Sequence, residues 1–115
     1  MKTFLNYLTE NKNNIISKFK KISDEHDYLN CKLGVQCATG ISNITQLPKV
    51  KTAKVGDIYA WGINHYAVHT GDDEVHHIPE WGAKPITSKL SDIIAEYDKP
   101  TAIYRPPSGT WNAKL

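Results

Sequence analysis

The chain is poor in cysteine. Among 115 residues there are two, Cys31 and Cys37, six positions apart. A disulfide framework needs more, and within one helix that spacing points the thiols away from each other. No C-x-x-C pair is present, so the usual zinc-knuckle signatures are missing. No run reaches the ~18 apolar residues of a membrane span. The opening Met1-Lys2-Thr3-Phe4-Leu5-Asn6-Tyr7-Leu8 is too short and too interrupted for a signal-peptide core. The expectation is therefore synthesis in the cytoplasm, with delivery or incorporation into a virion as the route to any outside substrate. Net charge is also small: 14 basic and 12 acidic residues leave a formal net charge of +2. The lysines are scattered, and Lys18, Lys20 and Lys21 read as a solvated helix face, so a nucleic-acid interface is not expected. Repeats and low-complexity stretches are absent.

What is present is an ordinary globular composition, 40% hydrophobic and 23% charged, at a length that suits one domain. Phe4, Leu8, Ile15, Phe19 and Ile22 recur at helical spacing, and Asn11 to Asn14 could divide that stretch into two helices. Residues 31 to 40 read as a short helix with Asn30 as N-cap and Gly40 as the stop. Residues 41 to 56, with Pro48, read as a connecting loop. From Gly56 the period changes to that of strands: Asp57 to Trp61, His65 to Thr70, a turn over Thr70-Gly71-Asp72-Asp73, and Glu74 to Ile78. Leu90, Ile93, Ile94 and Tyr97 mark an amphipathic helix over 87 to 97, and Thr101 to Tyr104 a last strand before Pro106-Pro107. The predicted class is α+β, with N-terminal helices packed on a small antiparallel sheet.

Two groups of residues carry chemistry. Cys31 follows Asn30 at the predicted start of a helix, where the positive helix end and open backbone N–H groups favour a thiolate. The bland reading is a small buried apolar side chain. The second group is histidine: His65, His69, His76 and His77 occupy four of thirteen consecutive positions. On a strand His65, Ala67 and His69 share a face. If the hairpin sets His65 opposite His77, the two imidazoles lie together and one can orient the other as a base. A register shifted by one residue presents His76 instead. A zinc site from His65, His69, His77 and a cysteine competes, but H-x3-H spacing belongs on a helix. No cofactor is called for.

Taken together, Tyr28-Leu29-Asn30-Cys31, Leu47-Pro48-Lys49, Gly56-Asp57-Ile58-Tyr59, His65-Tyr66-Ala67-Val68, Gly71-Asp72 and His77 resemble the NlpC/P60 family of papain-like cysteine hydrolases over residues 28 to 105. The His65 to His77 segment also resembles the strand pair of the LRAT-like acyltransferases, a permuted branch whose cysteine follows its histidines. Both cysteines here precede the histidines. The NlpC/P60 resemblance implies Cys31 as nucleophile, His65 as general base and His77 as the group that orients it. It also implies a peptidase or amidase acting on cell-wall peptides such as peptidoglycan. Lys32-Leu33 stands where that family has Ser-Gly, and Lys49 where it has arginine. Trp61, Tyr66 and Trp81 are candidate cleft walls, and Cys37 is expected in the core. The alternatives are an LRAT-like acyltransferase or lipid esterase, and a non-catalytic structural or binding protein of phage type.

Overall fold

The computed structural model describes residues 12–21, 35, 39, 43–80 and 83–111. Cys31, Cys37 and Trp81 lie outside the described residues, as does most of the stretch expected to form a helix over 31 to 40. Among the described residues the chain is α+β, built on a five-stranded sheet. The strands are β1 (Ile58–Trp61), β2 (His65–His69), β3 (Glu74–His77), β4 (Ile86–Lys89) and β5 (Ala102–Tyr104). They lie in the order β4-β3-β2-β1-β5, and every neighbouring pair is antiparallel. Residues 12–21 form a helix, α1, and Leu90–Tyr97 form a second, α2. No helix among the described residues is long and apolar enough to cross a membrane.

The alternation expected from sequence divides the sheet into two faces. Ile58, Ala60, Tyr66, Val68 and Tyr104 pack with Ile15 and Phe19 of α1 and with Val35. Tyr59, Trp61, Ala67 and Val75 pack on the other face with Ile93, flanked by Leu90 and Ile94 of α2. Each fully buried Ile or Phe in these layers contributes about 1.5–3 kcal/mol of transfer free energy. Asn13 and Asn14 do not break α1. Ile15 and Phe19, one turn apart and both buried, anchor the helix to the sheet and outweigh the low propensity of asparagine.

Three expectations need correction. The helix predicted over 87 to 97 starts at Leu90, and Thr87, Ser88 and Lys89 belong to β4. Isoleucine and threonine favour a pleated surface, and pairing with β3 decides the matter. The loop over 41 to 56 includes a short 3-10 turn at Ile44–Gln46, capped by the Asn43 side chain. Lys49 also makes a bridge to Tyr104. The third concerns register: β2 and β3 pair Val68 with His76 and His69 with Val75, so the hairpin is centred on Asp72 and not on Gly71.

Two connections hold the sheet's ends. Gly56 has φ +97°, and a Cβ there would meet the Trp111 ring at 3.1 Å. Trp111 Nε1 in turn donates to the Gly56 carbonyl at 2.8 Å. Asp57, buried, accepts from the Arg105 guanidinium through both carboxylate oxygens, at 3.1 and 2.8 Å, and from Lys54 N. This bidentate pair ties the start of β1 to the end of β5. Toward the opposite edge of the sheet, Asp73 from the β2–β3 turn accepts from Ser91 N and Ser91 Oγ, and its carbonyl accepts from Leu90 N. Asp73 thereby caps α2, a helix that leaves β4 with no loop between.

Candidate active site

His65 opens β2, directly opposite Trp61 on β1. Its ring lies on the α2 face, 5.5 Å between centroids from Trp61 and stacked at 5.0 Å on Tyr97. The register correction leaves the histidine pairing intact. A shift of two positions preserves parity, so His65 and His77 remain on one face as diagonal neighbours, within imidazole reach. His65 Nε2 and His77 Nδ1 are 3.1 Å apart, with the rings at 86°. His77 Nε2 lies 2.9 Å from Ser88 Oγ on β4. The row runs from His65 through His77 to Ser88 across three adjacent strands.

His65 is 7% exposed and His77 4%. Burial, reinforced by His65 and then His76, pulls the His77 pKa down to about 4. His77 is therefore a neutral imidazole near pH 7. The row opens on a cleft of about 660 Å³ lined by Trp61, His65, Ile78, Glu80, Tyr97 and Asp98 among others. Asp98, at the C-terminal end of α2, has φ +74°, a conformation that costs a non-glycine residue about 1–3 kcal/mol. Trp61 Nε1 donates to its carbonyl at 2.8 Å, and its N–H reaches Ile94 O at 2.8 Å. These bonds fix the rim where the strained residue sits.

His76 points the other way. It lies on the α1 face, with the Phe19 ring edge-on at 5.2 Å. Its Nδ1 is 3.2 Å from Thr87 Oγ1, and its buried Nε2 has no hydrogen-bond partner among the described residues. Burial pulls its pKa down to about 4 as well. His69, on the α2 face, sits 3.5 Å from Tyr59 Oη, and burial lowers its pKa too. Among the described residues no three His, Cys, Asp or Glu side chains form a group that could hold a metal ion.

Of the residues singled out in the sequence, His65 and His77 come together and Trp61 lines their cleft. Tyr66 does not: it is buried on the α1 face, because its neighbour His65 takes the other side of the strand. Val35, four positions beyond Cys31, is buried on that same α1 face. Three site residues escaped the sequence reading: Ser88, assigned to a helix; Tyr97, read only as an apolar helix position; and Asp98, whose positive φ has no sequence signal. A β-branched pair at Ile86-Thr87 was the available hint that Ser88 lies on a strand. The chain matches no family model, no curated protein and no solved structure.

Proposed function

We propose that this chain is a cysteine hydrolase of NlpC/P60-like, papain-like type, cleaving an amide bond of a peptide substrate, with cell-wall peptides as the favoured class. The observation that carries the reading is the His65–His77 contact of 3.1 Å at the wall of a cleft. An imidazole held by a second, neutral imidazole is equipped to act as a general base. With Nε2 engaged by His77, His65 would take the thiol proton of Cys31 on Nδ1. The thiolate would attack the carbonyl, the protonated His65 would give its proton to the leaving amine, and water would hydrolyse the acyl-enzyme. Trp61 and Tyr97 would flank the substrate chain.

For that step the Cys31 sulfur would have to reach the cleft on the α2 face, whereas Val35, four positions later, is buried on the α1 face. The test is turnover of muropeptides, with short-chain thioesters and lipid esters alongside, by the parent and by Cys31→Ala, Cys37→Ala and His65→Ala. Loss in Cys31→Ala and His65→Ala with retention in Cys37→Ala supports it. A parent inert on every substrate, with equal and ordinary reactivity at both thiols, leaves the fold as a scaffold for binding.

A further inference from the structure

A neutral histidine between two hydrogen-bond partners must choose which nitrogen carries its proton, and the choice propagates. His77 has its Nδ1 on His65 Nε2 and its Nε2 on Ser88 Oγ. In the first arrangement His77 carries the proton on Nε2 and donates to Ser88. Its Nδ1 then accepts from His65 Nε2–H, and the lone pair of His65 sits on Nδ1. In the second, Ser88 donates to His77 Nε2, His77 donates through Nδ1 to His65 Nε2, and His65 carries its proton on Nδ1. Only the first leaves His65 Nδ1 able to accept a proton while His77 holds the resulting imidazolium.

We infer that Ser88 is a positioning residue for the proposed base: its hydroxyl oxygen accepts from His77 Nε2–H and thereby keeps His65 in the tautomer that can take a proton on Nδ1. The inference rests on the hydrolase reading for its catalytic purpose, but the hydrogen-bond row exists without it. Ser88, on β4, stands opposite Val75, two residues along the strand from Ile86, which is opposite His77, and therefore on the same α2 face. It is half-buried, so its own hydroxyl hydrogen can turn toward water when the oxygen accepts. His77 is nearly sealed and has been held neutral by burial, which makes the tautomer the remaining variable. Without the Ser88 oxygen an Nε2–H on His77 loses its acceptor, and the proton is better placed on Nδ1, donating to His65. The same strand offers a built-in contrast, because Thr87 makes the corresponding contact to His76 on the α1 face, away from the cleft.

The experiment is two-bond ¹H–¹⁵N NMR of the histidine rings in the full chain near pH 7, with turnover measured beside it. In the parent, His77 is expected as the Nε2–H tautomer. In Ser88→Ala it should shift to Nδ1–H or to a mixture, and kcat should fall about tenfold to a hundredfold with KM little changed. Ser88→Thr, which restores the hydroxyl on a strand, should recover both readouts. A parent His77 protonated on Nδ1 overturns the inference even if Ser88→Ala does not fold, and so does an unchanged His77 tautomer in Ser88→Ala. The NMR readout needs no substrate. An inert parent with the expected tautomers removes the hydrolase reading and leaves the assignment of Ser88 standing. An active parent whose kcat and tautomer ignore Ser88→Ala does the reverse.

Discussion

His76 and His77 are adjacent on one strand, equally buried at 4% exposure, and both have pKa values drawn down to about 4. They differ in what the other side of each ring meets. His77 lies behind His65, in a polar row that opens on a cleft, and both its nitrogens have partners. His76 is covered by Phe19 of α1, and one of its nitrogens has none among the described residues. Burial and a perturbed pKa are common to both, so neither marks a site here. Connection to an accessible group does. The α2 face concentrates polar contacts and backbone strain at one end, whereas the α1 face is largely a hydrophobic layer with one imperfectly satisfied histidine in it.

The sharpest way to break this contrast is to replace the two histidines separately. If His65 is the base proposed above, His77→Leu should lower turnover about 10²–10⁴-fold, because that base would lose the group that orients it and supports its charge. His76→Leu should leave turnover within about threefold. Steady-state kinetics on whichever substrate the parent cleaves decides it, and equal losses would erase the distinction between the faces.

The next largest effect belongs to the α1 layer. Phe19→Ala removes a fully buried ring and should cost about 3–5 kcal/mol in urea unfolding. The folded fraction should keep its kcat, since Phe19 touches His76 and not the row of His65, His77 and Ser88.

A smaller effect follows from pH. Both histidines have folded-state pKa values near 4, below the ordinary 6.5. Between those values the unfolded chain binds protons that the folded chain does not. Stability is therefore full above about pH 6.5 and falls as pH drops toward 4. Urea midpoints measured from pH 7 to 4.5 should show that decline, and His76→Leu should flatten it without altering turnover at pH 7. An unchanged slope would mean that His76 titrates normally when folded.

Much of the fold was legible in the sequence because most of the sheet alternates cleanly. Ile58 and Ala60, and Tyr66 and Val68, announced their faces, and Leu90, Ile93, Ile94 and Tyr97 announced α2. What could not be read was where partners decide. Thr87 and Ser88 look helical beside Leu90 until β3 is available to pair with them. The β2–β3 register slipped by two positions, yet His65 and His77 still meet because parity alone fixes which face a side chain takes. A slip of one would have exchanged His77 for His76. The row's third member, Ser88, depends on β4 lying beside β3, and no local pattern encodes that neighbour. The contrast between Tyr66 and Trp61 has the same origin: two aromatic residues close in sequence, separated by the sheet.

The central claim, that Cys31 works with His65, is tested most directly by alkylation rates of Cys31 and Cys37 near pH 7. The measurement compares the parent, His65→Ala and His76→Ala, with peptide mapping to resolve the two thiols. The account predicts that Cys31 reacts about tenfold or more faster than Cys37, as a stabilised thiolate should. It also predicts that His65→Ala removes this advantage and that His76→Ala leaves it intact. Equal rates at the two thiols, or an advantage that disappears with His76 in place of His65, would contradict it.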